Sequence, residues 1–203
     1  MDINQRGVMK SKKIGLFFGS FNPVHVGHMI IANFMIEHSD LDEIWMVVSP
    51  HNPHKEKKSL AKDHDRLHLV SLAIGENIKI KASDIEFGLD KPSYTVDTLA
   101  YLKEKYPHHI FSLIMGGDNL GTLHKWKNYE TILKNHHIYV YQRPGYELGE
   151  LQDHKKITIL EAPLLTISAS YIRKQIQEKK SIQYLVPDKV WEYIDGSSMY
   201  KKK

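Results

Sequence analysis

The chain contains no cysteine. Disulfides, thiolate-bound zinc, iron–sulfur clusters and thiol nucleophiles are therefore excluded. It has no apolar run of the ~18 residues that a membrane-spanning helix needs. Met1–Lys13 is charged and polar, without the apolar stretch of a signal peptide, so a cytoplasmic protein is expected. Excess charge is also scarce: 28 Lys and Arg against 24 Asp and Glu leave +4. That balance suits phosphorylated ligands and is too mild to argue for nucleic acid. With 12 Gly and 8 Pro, no repeat and no low-complexity stretch, collagen-like and disordered classes are excluded as well.

What is present is enough apolar sequence, 41% of the chain, to build one sizeable core. Short apolar runs at Ile14–Phe18, Ile44–Ser49, Ile78–Lys81, Ile110–Met115, Ile138–Gln142 and Ile157–Leu160 read as strands. Helical periodicity falls between them at Gly27–His38, Arg66–Ile74, Tyr94–Tyr106 and Tyr129–Lys134, with closing helices at Ser168–Gln177 and Pro187–Ile194. This alternation predicts βαβ units, hence an α/β, doubly wound, mostly parallel sheet with helices on both faces. The expected division is a lead-in at 1–12, one domain at 13–195 and a tail at 196–203. In such sheets ligands bind beyond the carboxyl ends of the strands, where the strand order reverses.

The segment Gly19-Ser20-Phe21-Asn22-Pro23-Val24-His25-Val26-Gly27-His28 joins the first strand to the first helix. Small residues allow close backbone approach, and a helix start offers N–H groups to phosphate. His25 and His28, three apart, can be aimed at one point and can donate to phosphate oxygens as charge develops. In a plainer reading one His caps the helix and the other lies on the surface. A zinc pair lacks a third ligand, and the Gly-x-Gly-x-x-Gly of a dinucleotide turn is missing. A second helix start, Thr166 to Arg173, carries Ser168, Ser170 and Arg173. It is either a second anion site or simple capping by a serine with Arg173 on a solvated face.

Both segments resemble signatures of the His-x-Gly-His nucleotidyltransferase superfamily. Phe21–His28 is similar to the first. Ile167-Ser168-Ala169-Ser170-Tyr171-Ile172-Arg173 is similar to the second, with Ser170 where Thr is common. The resemblance implies a Rossmann-like fold and nucleotidyl transfer from ATP or CTP. From about Lys13 to Ile194 the chain resembles the nicotinate-nucleotide adenylyltransferases in particular. Asn52-Pro53-His54-Lys55, Pro92-Ser93-Tyr94-Thr95 and Gly116-Gly117-Asp118 with Leu123 and Trp126 carry that likeness.

The resemblance implies these roles. His25 and His28 are catalytic. Gly19, Ser20, Phe21, Lys55, Gly116, Asp118, Ser168, Ser170 and Arg173 bind ATP, with the last three on the β- and γ-phosphates. Asn22, Tyr94, Thr95 and Trp126 bind nicotinate mononucleotide, the indole stacking on the pyridine ring. Mg²⁺ accompanies ATP with few or no protein ligands. Lys127, beside Trp126, departs from the Tyr or Arg of some members, and leaves the contact to the nicotinate carboxylate open. His108, His109, His136 and His137 receive no role. The alternatives are an adenylyltransferase for nicotinamide mononucleotide or phosphopantetheine, and a nucleotide-binding regulatory module without turnover.

Overall fold

The computed structural model describes residues 10–50, 60–142, 148–163 and 165–201. Lys55 and the rest of Asn52–Lys55 lie outside them, as does most of the expected lead-in. Six strands form one sheet: β1 (Lys13–Gly19), β2 (Glu43–Val48), β3 (Ile80–Ser83), β4 (Ile110–Gly116), β5 (Ile138–Tyr141) and β6 (Ile157–Leu160). Their order is β3-β2-β1-β4-β5-β6, and every pairing is parallel. The chain winds outward from β1 to β3, then crosses back to lay β4 on the other side of β1. The switch point is therefore between β1 and β4. Phe17 pairs with Ile114. Gly19 and Gly116, each two residues further on, thus end their strands at one level.

Among the described residues seven helices accompany the sheet: α1 (Val26–His38), α2 (Asp63–Ile74), α3 (Thr95–Lys105), α4 (Gly117–Leu120), α5 (Tyr129–Asn135), α6 (Ala169–Gln177) and α7 (Asp188–Asp195). Alternate strand residues feed two cores, as the period of two requires. Phe17, Met46 and Ile114 meet α1, α2, α6 and α7 on one face. Leu16, Val47 and Leu113 meet α3 and α5 on the other.

Some boundaries differ from expectation for local reasons. β3 starts at Ile80, two residues late, because Asn77 Oδ1 accepts the N–H groups of Lys79 and Ile80 and turns the chain there. Helix α2 starts at Asp63, three residues early, with Asp63 and Asp65 in a first turn whose dipole favours acids. α4 and the 3₁₀ turns at Leu123–Lys125 and Glu150–Asp153 are too short to show a period. In the described part of the expected tail, residues 196–201, Met199 and Tyr200 pack against the core. Among the described residues no helix is long and apolar enough to cross a membrane.

Candidate active site

The turn after β1 is built around a buried ring. A Cβ on Gly19 would lie 2.7 Å from Phe21 Cζ, so the space a side chain would fill at 19 belongs to the Phe21 ring. Phe21 has φ 41, a left-handed backbone uncommon for a bulky residue, and its side chain is 1% exposed. Burial of the ring against Phe17 and His28, at 5.8 and 5.0 Å between ring centroids, holds that conformation.

His25 is the N-cap of α1, and its N–H donates to His28 Nδ1 at 3.2 Å. The two rings stack with centroids 3.6 Å apart. Capping is therefore part of what the pair does. It also sets the tautomer: an Nδ1 that accepts leaves the proton of neutral His28 on Nε2, as a donor. His25 is buried and His28 half-buried. The α1 amides are less open than a bare helix start. The Val26 N–H donates to the Leu185 carbonyl at 3.1 Å and the His28 N–H to the His25 carbonyl at 3.0 Å.

The second segment folds against the first. Ser168 is the N-cap of α6, its Oγ accepting the Tyr171 N–H at 3.2 Å. Arg173 Nη1 donates to the Asn22 carbonyl at 2.7 Å and Nη2 to Ser170 Oγ at 3.3 Å. Arg173 is half-buried rather than on a solvated face, and Ser168 and Ser170 are exposed. One guanidinium thereby joins the segments at two helix starts, through residues 151 apart in sequence. Asn22, expected at the mononucleotide, is 3% exposed, and its Oδ1 accepts from the Ala61 N–H at 3.1 Å and the Tyr200 hydroxyl at 2.9 Å.

At the end of β4, a Cβ on Gly116 would lie 2.3 Å from Asp118 Oδ1 and 3.2 Å from the Tyr141 ring. Glycine there makes room for the protein's own carboxylate, which folds back over the strand end. Beyond it Trp126 is half-buried, with part of its surface on the α3/α5 core. Lys127 Nζ sits 4.6 Å from the Tyr94 ring centroid and 2.9 Å from Asp97 Oδ2. Lys127 therefore brings the Trp126 segment to the start of α3, where Tyr94 is the N-cap and Thr95 the first residue.

Three residues that hold this site are absent from the sequence-based set. Arg66 is fully buried. Its guanidinium donates to the carbonyls of Ser20 at 2.6 Å, Ser49 at 3.0 Å and Ala61 at 3.1 Å, and to Asp63 Oδ1 at 2.7 Å. It clamps the turn after β1 to the segment after β2. Helical spacing carries its signal, because Arg66, Leu69 and Val70 stand at i, i+3 and i+4 and form the buried stripe of α2. Glu86 is 3% exposed and accepts from Thr98 Oγ1 at 2.8 Å, anchoring the first turn of α3. Tyr200 is the third, and its sequence position in a polar, Lys-rich end gives no cue.

A fold of this order, with two helix starts joined at its switch point, defines a nucleotidyltransferase of the cytidylyltransferase-like class. Residues 16–175 match the cytidylyltransferase-like family model. Curated relatives are more specific. The "Probable nicotinate-nucleotide adenylyltransferase" of Flavobacterium johnsoniae is 61% identical over 192 residues, covering 94% of this chain and all of the relative. That of Flavobacterium psychrophilum is 59% identical with the same coverage. The chain belongs to the nicotinate-nucleotide adenylyltransferase family. Among solved structures, Plasmodium falciparum nicotinic acid mononucleotide adenylyltransferase complexed with NaAD superposes with a TM-score of 0.76. It is 22% identical, over 93% of this chain and 97% of that one, which speaks for the fold.

Proposed function

We propose that the chain transfers AMP from ATP to nicotinate mononucleotide, forming nicotinate adenine dinucleotide and pyrophosphate. The observation that carries this reading is the Arg173–Asn22 bond, which makes one site of the two phosphate-binding helix starts. A 5′-phosphate oxygen of the mononucleotide attacks the α-phosphorus of ATP in line. The bond from that phosphorus to the β-phosphate bridging oxygen breaks, and pyrophosphate leaves with the electron pair. The nucleophile is already an anion, so positioning and charge stabilisation suffice. His28 donates from Nε2 to the phosphate on which charge builds, and His25 fixes the ring that does so. Ser168, Ser170 and Arg173 take the β- and γ-phosphates, with main-chain groups of Gly19, Ser20 and Phe21 beside them. Lys55 is assigned to phosphate on the family resemblance alone. Asp118 and Gly116 meet the adenosine end of ATP.

Mg²⁺ enters as part of the ATP chelate. The ion would be held by phosphate oxygens and water, with few or no protein ligands. The substrates are small soluble anions, and we place the reaction in the cytoplasm.

The pyridine lies on Trp126, with its carboxylate toward the Thr95 hydroxyl and the amides that open α3. Lys127 already faces Asp97, so discrimination rests on those donors. An amide in place of the carboxylate would set its NH₂ against them, at roughly 1–3 kcal/mol for an opposed bond. A preference of at least ~10-fold for nicotinate over nicotinamide mononucleotide follows. Pyrophosphate release with ATP and each of nicotinate mononucleotide, nicotinamide mononucleotide and phosphopantetheine tests the reading. Equal kcat/KM for the first two would replace it with a dual-specificity enzyme, and turnover of none would leave a regulatory module.

A further inference from the structure

The far end of the chain returns to the first turn. After α7, Ser197 Oγ donates to the Ile194 carbonyl at 3.0 Å and accepts the Met199 N–H at 3.1 Å. Lys201 Nζ donates to the Asp195 carbonyl at 2.9 Å. This tight turn presents Tyr200 with φ 62, a backbone that a bulky residue adopts only when its surroundings hold it. What holds it is ring packing on the core that includes α7 and the bond from its hydroxyl to Asn22 Oδ1 at 2.9 Å. Burial pushes the pKa of the hydroxyl up, against the pull of Arg66 and Arg173 nearby, so the proton stays in place to be donated.

Asn22 is where this matters. Its Oδ1 has two lone pairs, one taken by the Ala61 N–H and one by Tyr200. Its carbonyl is the partner of Arg173. A peptide unit held from both sides keeps that carbonyl at a fixed distance from α6, and with it the spacing between the two helix starts. We infer that Tyr200 is a positioning residue: its hydroxyl fixes Asn22 so that Arg173 is set for the ATP phosphates. This rests on the assignment of Arg173 to the triphosphate given above.

Tyr200→Phe keeps the ring and deletes only the donor. The expected result is a rise in KM for ATP of roughly three- to tenfold, the worth of one lost hydrogen bond, with the KM for the mononucleotide unchanged. Calorimetric Kd for ATP alone should rise by the same factor. That arm needs no acceptor, so it stands even if the mononucleotide assignment fails in the unsubstituted enzyme. Arg173→Lys, alone and combined with Tyr200→Phe, closes a cycle. If Tyr200 acts through Asn22 on Arg173, its effect shrinks in the Arg173→Lys background. A merely structural Tyr200 would lower the unfolding temperature and leave Kd and KM for ATP untouched, which would overturn the inference, as would strict additivity in the cycle. Should Tyr200→Phe fold poorly, Tyr200→Leu deletes the donor while keeping an apolar side chain on the core and leaving Asn22 in place. Weaker ATP binding in that variant supports the inference, and unchanged Kd and KM for ATP overturn it.

Discussion

Two buried charges hold opposite ends of the sheet, the Glu43 carboxylate at the amino end and the Arg66 guanidinium at the carboxyl end. Glu43, 5% exposed at the start of β2, receives Lys12 from the chain just before β1, Lys81 of β3 at 3.0 Å and the Trp45 indole at 3.2 Å. Asp40 beside it receives Lys13 and the Tyr139 hydroxyl of β5. These are side chains bonded to side chains: Glu43 laces β2 to β3 and to the chain before β1, and Asp40 ties the segment before β2 to β1 and β5. Arg66 at the other end bonds mainly to main-chain carbonyls. Carbonyls belong to loops, so a cation there dictates loop shape, which a substrate then reads. Each rim makes its own prediction when its charge is removed.

Arg66→Met should be the most damaging change. Breaking a buried ionic cluster costs about 3–5 kcal/mol, and three carbonyls lose a donor. Denaturant unfolding should show at least ~3 kcal/mol lost, a large part of a domain's stability. Arg66→Lys keeps the charge without the fork and should fold while losing most activity. A fully active Arg66→Lys enzyme would mean that the clamp does not shape the site. His28→Ala comes next and separates function from stability. Loss of one transition-state donor lowers kcat by ~10²–10³, while unfolding free energy should move by only about 1 kcal/mol, the worth of a cap. A near-normal kcat would remove His28 from the chemistry.

The amino rim should behave oppositely. Burial raises the Glu43 pKa, but the bonds from Lys12, Lys81 and Trp45 outweigh it and hold the carboxyl at about 2. The unfolded carboxyl titrates near ~4.3. The folded protein therefore keeps this stabilisation in full above that pH and loses it as pH falls toward 2. Glu43→Gln should cost about 2 kcal/mol at neutral pH, leave kcat/KM unchanged, and converge with the parent in acid. A constant gap between the two unfolding curves from pH 7 to pH 2 would refute the ionic assignment. The smallest effect concerns His136 and His137. Burial depresses the pKa of both, so below the ordinary ~6.5 the unfolded chain binds more protons and stability declines with falling pH. Exchanging His136 for Asn and His137 for Gln, which can keep the bonds to the Phe111 carbonyl and Thr158, should flatten that slope.

How much of this was legible depended on the range over which a signal acts. Strand and helix alternation is local, so the six strands and the six longer helices could be read directly. The two segments that meet through Arg173 and Asn22 were visible as short contiguous signatures. The meaning of Gly19 and Gly116 was not. Both read as room for a ligand, yet Phe21 and Asp118 fill the space, and only the folded turn reveals that. Arg66 resembles any surface arginine beside Asp65 until its helical phase is counted. The ties from Leu185 and Tyr200 to the first turn leave no local trace, because both partners look ordinary in their own surroundings.

Those late ties bear on how the protein is made. Synthesis runs from the amino end, so β1 and its turn emerge before the rest of the sheet, whereas Arg173, Leu185 and Tyr200 follow all six strands. A nascent chain can lay down β1 to β3 and then β4 and β5, with one crossing back over β2 and β1, before any of the three exists. The turn at 19–28 then waits, without its α6 guanidinium, its Leu185 cap and its Asn22 partner, for contacts that span more than 150 residues. Competence to hold ATP should therefore appear abruptly once Tyr200 has emerged rather than in step with pairing of the sheet, and ribosome-stalled chains cut before Arg173 should be unable to retain nucleotide.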